Sequence, residues 1–145
     1  MSRAFVKEDD RGSEVELPVD ETPAPITAEG YEALEKRLAA LRADPNSSAL
    51  ATQLARRMGY VQVVRDPPSR RDRVAFGARV TVEDEEGAVT VWRVVGPDET
   101  EFHLGGVSVS SPVAKALLGR SEGDEVRVPR PRGAQTVTVL RVEFG

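Results

Sequence analysis

Several residue types that support common protein chemistries are absent or scarce in this chain. Its 145 residues contain no cysteine, one histidine and one tryptophan. The absence of cysteine excludes disulfide bonds, a thiol nucleophile, thiolate-bound zinc and iron–sulfur clusters, and a single histidine cannot form a histidine cluster for a metal. No apolar run approaches the roughly 18 residues that a membrane span needs, and the first residues do not resemble a secretory signal. We therefore expect a cytoplasmic protein with no cofactor and no membrane contact.

The formal net charge of −4 is confined to the N-terminal part of the chain. Residues 1–25 hold seven acids and three bases, whereas the remaining residues hold 17 of each. This segment also contains three prolines and few apolar residues, so it cannot bury enough surface to offset the entropy of ordering. We interpret 1–25 as a disordered acidic tail. The neutral remainder lacks the basic character of a domain that binds free nucleic acid.

Residues 26–60 are predicted to form a short antiparallel coiled-coil hairpin. The first helix begins near Thr27, a suitable N-cap residue, and the dipeptide Asp44-Pro45 ends it because a residue before proline avoids the helical conformation. The second helix runs from about Ser48 to Met58. The two helices carry leucines at spacings of three and four, which predicts facing apolar seams. Asp44 and Asn46 are expected at the hairpin tip.

Residues 61–72 are predicted to form an arginine- and proline-rich linker. Seven arginines and two acids lie between Arg56 and Arg79. Arginine pairs bidentately with phosphate and carboxylate groups. We therefore interpret six arginines as a basic contact surface for nucleic acid or for acidic groups of a protein: Arg56, Arg57, Arg65, Arg70, Arg71 and Arg73. The alternative is a solvated linker.

Residues 73–145 show the period-two alternation of strands. Ser111 followed by Pro112 predicts the start of one short helix. The expected fold is α+β, with a small antiparallel sheet and one helix. Trp92 is expected to pack within a strand, and His103 is expected to be a surface or loop residue. Strands are predicted near Val80–Val82, Val89–Val95, Val107–Val109, Glu125–Val128 and Thr136–Phe144.

Several motifs in this region resemble the signature of the GreA/GreB family. They are VSVSSPVAKALLG at 107–119, RVVGPDE at 93–99 and EGDEV at 122–126, and ITAEGYEAL at 26–34 is similar to the start of the family's first coiled-coil helix. The resemblance implies an N-terminal antiparallel coiled coil followed by a C-terminal domain of FKBP-like fold. It also implies docking on bacterial RNA polymerase, at the β′ rim of the secondary channel, with indirect contact to RNA and DNA in the transcription complex. We expect a monomer.

The resemblance assigns polymerase binding to Ser110, Ser111 and Pro112, which match the loop that the family presses against the polymerase. In the family, acidic residues at the coiled-coil tip help to hold a catalytic magnesium ion, so that the polymerase cleaves backtracked RNA. Here the arms are short, and the turn offers a single carboxylate, Asp44. Magnesium requires several hard oxygen ligands. We therefore expect polymerase binding without stimulation of cleavage, and no catalytic residue or metal ligand in the chain itself.

Three alternatives remain at this point. The truncated layout also resembles the Rnk group of polymerase-binding regulators, which resemble Gre factors with a stunted coiled coil. A cleavage-competent GreB-type factor would have to use Asp44 or acids of the tail. A peptidyl-prolyl isomerase is suggested by the implied fold alone, and fold does not confer function.

Overall fold

The computed structural model describes residues 16–145, so the predicted acidic tail up to residue 15 lies outside the described residues. The described chain divides into two compact units. The first contains 16–23 and 34–61, and the second contains 24–33 and 62–145. The beginning of the first helix therefore belongs to the unit that contains the main sheet. Within 16–145, no helix is both long and apolar enough to cross a membrane.

A helical hairpin is formed by α1 (Ala28–Ala43) and α2 (Ser48–Met58), which are joined by a 3₁₀ turn. Both helices are confirmed within a residue of the predicted bounds. The leucine seam of α2 is wrong at Leu50, which is 48% exposed, whereas the neighbouring Ala51 is buried. The buried face of α2 is therefore centred on the small alanine side chain and not on the leucine beside it.

Two short strands, β1 (Ala24–Thr27) and β2 (Val61–Val64), pair with each other. Strand β2 occupies the first four residues of the predicted linker, and β1 is not predicted from the sequence. Its first two residues fall within the predicted tail, where the prolines favour an unstructured interpretation. Ile26 of β1 is fully buried, so this strand is part of the folded core of the second unit.

The main sheet consists of β3 (Arg79–Asp84), β4 (Val89–Val95), β5 (Gly106–Ser108), β6 (Glu125–Val128) and β7 (Gln135–Glu143). Their spatial order is β5-β4-β3-β7-β6. The pairings are antiparallel except between β4 and β5, which run parallel. The predicted mixed helix-and-sheet fold is confirmed, with this one departure from a purely antiparallel sheet. The chain between β4 and β5 passes through a 3₁₀ turn, Thr100–Phe102, before β5 begins.

Helix α3 (Pro112–Leu117) packs against the core of the main sheet through Ala114 and Leu117, which are fully buried. Complete burial of one valine or leucine side chain contributes about 1.5–3 kcal/mol. Trp92 is buried as predicted, and the guanidinium carbon of Arg130 lies 5.5 Å from the centre of its ring. The strands supply most of the remaining core through valines: Val80, Val82, Val94, Val126, Val128, Val137, Val139 and Val142.

Candidate functional site

The loop that precedes α3 presents two of the three predicted contact residues to solvent. The Ser111 hydroxyl donates to the carbonyl oxygen of Ser108 at 2.7 Å and accepts the N–H of Ala114 at 3.2 Å. Ser111 is therefore the N-cap of α3, as predicted. Ser110 and Pro112 are exposed on either side of it, and the Ser110 hydroxyl lies 2.9 Å from that of Ser108. The capping bonds fix the loop in one conformation while leaving these two side chains available.

A buried carboxylate, Glu99, connects the start of α1 to the end of β4 within the second unit. Glu99 is completely buried. Its Oε2 accepts the backbone N–H groups of Thr27 and Gly96, both at 2.8 Å. Its Oε1 accepts the Thr27 hydroxyl and lies 2.8 Å from Nε2 of His103. Burial of a carboxylate is costly unless hydrogen bonds satisfy its oxygens, and here both oxygens have two partners.

Arg93 extends this network towards the surface. Its Nη1 lies 3.3 Å from Nδ1 of His103, and its Nη2 donates to the two carboxylate oxygens of Glu29 at 3.3 and 3.4 Å. Burial by itself would raise the pKa of Glu29, but the charge of Arg93 and its hydrogen bonds hold that pKa below its ordinary value. His103 lies in a loop, as expected, but its side chain is not at the surface, because it is only 8% exposed between Glu99 and Arg93.

Two glycines make the close approach around Glu99 possible. A Cβ atom added to Gly30 would lie 2.0 Å from Oε1 of Glu99, and one added to Gly96 would lie 1.9 Å from the carbonyl oxygen of Pro25. Gly30 also donates its N–H to the Thr27 hydroxyl at 3.0 Å. The motif residues Arg93, Gly96 and Glu99 therefore act together to hold the helix start.

The hairpin tip uses its single carboxylate for local capping. Oδ1 of Asp44 accepts the N–H of Asn46 at 3.0 Å, and Oδ2 accepts the Ser47 hydroxyl at 2.8 Å. These bonds, first the one from the Asn46 backbone and then the one from Ser47, lower the pKa of Asp44 from its ordinary value. Within residues 16–145, no group of three or more histidine or acidic side chains is arranged to hold a metal ion.

The six predicted contact arginines are divided between the two units. Arg56 and Arg57 lie in α2 of the first unit, and the other four lie in the second. Arg70 is paired with Asp72 at 3.0 Å. Arg65 and Arg71 line a cleft of about 220 Å³ together with Arg93, Phe76 and Phe144. The interpretation of all six as one surface stays a prediction.

Comparison with known proteins identifies the class to which this fold and these motifs belong. The family model described as "Transcription elongation factor, GreA/GreB, C-term" matches residues 68–144, which is more than half of the chain. The chain therefore belongs to the GreA/GreB family of transcription elongation factors.

Two relatives in sequence agree with this assignment. Transcription elongation factor GreA of Desulfovibrio desulfuricans is 34% identical over 154 aligned residues, which cover 85% of this chain and 95% of the relative. GreA of Syntrophobacter fumaroxidans is 42% identical over 90 residues, which cover 61% of this chain but only 58% of the relative. The solved structure of a prokaryotic elongation factor GreA/GreB from Nitrosomonas europaea is 27% identical, covers 84% of this chain and 98% of that one, and has a TM-score of 0.47.

The residue that sequence reasoning missed is Glu99. Its motif is visible in the sequence, but an acidic residue after a Gly-Pro-Asp turn is typical of solvated loops. No signal close to Glu99 in the sequence indicates its burial, because its partner Thr27, whose hydroxyl and N–H both bind the Glu99 carboxylate, lies 72 residues away.

Proposed function

We propose that this chain binds bacterial RNA polymerase at the β′ rim of the secondary channel and does not stimulate RNA cleavage. The motif around Ser110, Ser111 and Pro112 would contact the polymerase, and the hairpin would point into the channel. The chain would act as a cytoplasmic monomer that regulates transcription without catalysing a reaction itself. Membership in the GreA/GreB family and the exposed, preordered loop before α3 support the docking part of the proposal.

The hairpin tip carries the second part of the proposal. Asp44 is the only carboxylate of the turn between α1 and α2, and both of its oxygens accept capping hydrogen bonds. Release of the carboxylate for a magnesium ion would leave the N–H of Asn46 and the Ser47 hydroxyl without this partner. With 16 residues, α1 is about 24 Å long at 1.5 Å per residue. A short arm with one occupied carboxylate cannot supply the several oxygen ligands that magnesium requires.

Docking is tested by retention of the full-length chain on immobilised core polymerase. Ser111→Asp keeps an N-cap side chain on α3 but places a charge at the proposed contact, and Ser110→Glu places one at an exposed position. Both variants should bind more weakly than the unchanged chain. Glu125→Gln, which alters an exposed charge on β6, serves as the control and should bind normally. Absence of binding by the unchanged chain would refute the proposal.

Cleavage is tested separately with a backtracked transcription complex. The chain alone should leave the RNA at full length. When a competent Gre factor is also present, the chain should slow the stimulated cleavage because it occupies the channel. If the chain shortens the RNA and Asp44→Ala abolishes this activity, the chain is a cleavage factor and the second part of the proposal is wrong.

A further inference from the structure

The cleft of about 220 Å³ that contains Arg65 and Arg71 lies entirely within the second unit. Its lining comes from the start of α1, from the chain at and after the end of β2, and from the sheet region. None of the three residues of the proposed polymerase contact, Ser110, Ser111 and Pro112, lines this cleft. The cleft is therefore a separate surface of the same unit.

The apolar part of the lining consists mainly of two phenyl rings. Phe76 and Phe144 are half-buried, and Phe144 also packs against the core of the main sheet. Val64, at the end of β2, lines the cleft too and is 42% exposed. Sites that enclose a drug-sized molecule have volumes of roughly 300–1,000 Å³. This smaller cleft therefore suits one large side chain better than a complete nucleotide or cofactor.

The charged part of the lining contains two arginines without a partner. The side chains of Arg65 and Arg71 are exposed and form no hydrogen bond or ion pair with any residue that the structure describes. The charge of Arg93, by contrast, is compensated by its ion pair with Glu29. One further acid, Asp66, lines the cleft and is likewise unpaired within the described chain. Two uncompensated positive charges thus face one uncompensated negative charge.

We propose that this cleft binds an exposed segment of a partner protein in which one aromatic side chain is flanked by carboxylates. The aromatic ring would pack against Phe76 and Phe144, because aromatic rings associate favourably in offset or edge-to-face arrangements. The flanking carboxylates would accept hydrogen bonds from Arg65 and Arg71, since the guanidinium group matches a carboxylate bidentately. A free phosphate would pair with the arginines but would leave both phenyl rings uncovered, so the lining favours the peptide.

Binding is tested by fluorescence anisotropy with the full-length chain and the fluorescein-labelled peptide GSDDFDDSG. The peptide GSDDADDSG lacks the ring and should bind at least about tenfold more weakly, because burial of a large apolar side chain is worth one to two powers of ten in affinity. The peptide GSNNFNNSG lacks the charges and should bind at least about fivefold more weakly. Binding of the acidic peptide should also weaken as salt is added, because the two arginines are exposed.

Variants of the arginines test the charged contact. Arg65→Gln together with Arg71→Gln should weaken binding of GSDDFDDSG at least about fivefold and should remove most of its salt dependence. Arg127→Gln together with Arg132→Gln makes the same change in net charge at two exposed residues that do not line the cleft. This control pair should bind the peptide normally.

Asp66 provides a test in the opposite direction. Asp66→Asn removes the uncompensated acid of the lining, so it should tighten binding of the acidic peptide by about twofold to threefold. The matched control is Glu85→Gln, which removes one exposed acid outside the cleft and should leave the affinity unchanged. Circular dichroism checks that each variant remains folded.

The position of the ring is tested with a peptide that carries photoreactive benzoylphenylalanine in place of phenylalanine. Mass spectrometry of the crosslinked chain should find the peptide on Val64, Phe76 or Phe144. Crosslinks only outside the cleft would overturn the proposal, as would the absence of saturable binding at protein concentrations up to about 1 mM. Normal binding by the variant that lacks both Arg65 and Arg71 would also overturn it. If AMP displaces the peptide at an equal concentration, the site accepts nucleotides and the assignment to a peptide is wrong.

Discussion

For the substitution Gly30→Ala, helix propensity and the contacts of Gly30 predict opposite changes in the free energy of unfolding. Gly30 lies in the first turn of α1, and helix propensity alone predicts that alanine stabilises the chain by up to about 1 kcal/mol. The contacts predict the reverse. The added methyl carbon would lie 2.0 Å from Oε1, 2.6 Å from Cδ and 2.8 Å from Cβ of Glu99. Because the Cβ contact is fixed by the backbone, rotation of the Glu99 side chain cannot relieve the overlap completely.

The magnitude follows from the two ways in which the structure can respond. A backbone shift costs about 1–3 kcal/mol, as is typical for an overpacked core. Displacement of the carboxylate would leave buried donors of Thr27 and Gly96 unpaired, at about 1–3 kcal/mol for each. The backbone shift is the cheaper response, so after subtraction of the propensity gain of up to about 1 kcal/mol, we expect Gly30→Ala to lower the free energy of unfolding by up to about 2 kcal/mol.

Urea unfolding monitored by Trp92 fluorescence measures this effect, because the only tryptophan lies in the same unit as Gly30. Gly59→Ala is the control, measured by circular dichroism. Gly59 has a right-handed φ of −71° and its added methyl would have its nearest contact at 3.3 Å. In a Glu99→Ala background, Gly30→Ala should cost less, because two of the three close contacts are gone. Stabilisation by Gly30→Ala in the unchanged chain would refute the reasoning.

Three further predictions concern the caps and the buried carboxylate. Glu99→Gln keeps the side-chain shape but sets an amide group against N–H donors, so it should lower the free energy of unfolding by about 1–3 kcal/mol for each donor left unpaired; the exposed turn substitution Glu85→Gln should change it by less than about 0.5 kcal/mol. Ser111→Ala should cost about 1 kcal/mol through loss of the α3 cap, and Ser111→Asp should recover it, as measured by urea unfolding. Folding lowers the pKa of Asp44 from 3.8, so the contribution of this cap to stability is complete above pH 3.8 and is lost as the pH falls through the lower pKa of the folded state. A titration followed by NMR of the carboxyl carbon should show the low pKa. Asn46→Pro, which removes the backbone donor, should move the pKa of Asp44 back towards its ordinary value.

The parts of the fold that could be predicted are those specified within a few neighbouring residues. The bounds of α2 follow from its leucine spacing and from Gly59, and the start of α3 follows from Ser111 and Pro112. These signals are local, because a cap bonds to a residue three positions away. The period-two valines similarly predict the buried face of the main sheet.

The features that could not be predicted depend on partners far away in the chain. Thr27 and Glu99 are 72 residues apart, and nothing around Glu99 in the sequence indicates that its charge is buried. The pairing of β1 with β2 is similarly remote, so Pro25 favoured a disordered interpretation. The parallel direction of β5 depends on the path of the chain after Gly96, which strand periodicity does not encode.

The long separation in sequence between Thr27 and Glu99 also determines when the start of α1 can acquire its final contacts during protein synthesis. The ribosome makes the beginning of α1 early, but the carboxylate that binds the Thr27 N–H and hydroxyl is added 72 residues later. At about 5–20 residues per second, this interval lasts about 4–14 s. Until then, the nascent helix has only the Thr27 hydroxyl as a cap for Gly30, and Ile26 has no completed sheet unit to enter. The helix start is therefore among the last parts of the molecule to reach its final conformation, although it is among the first to be translated.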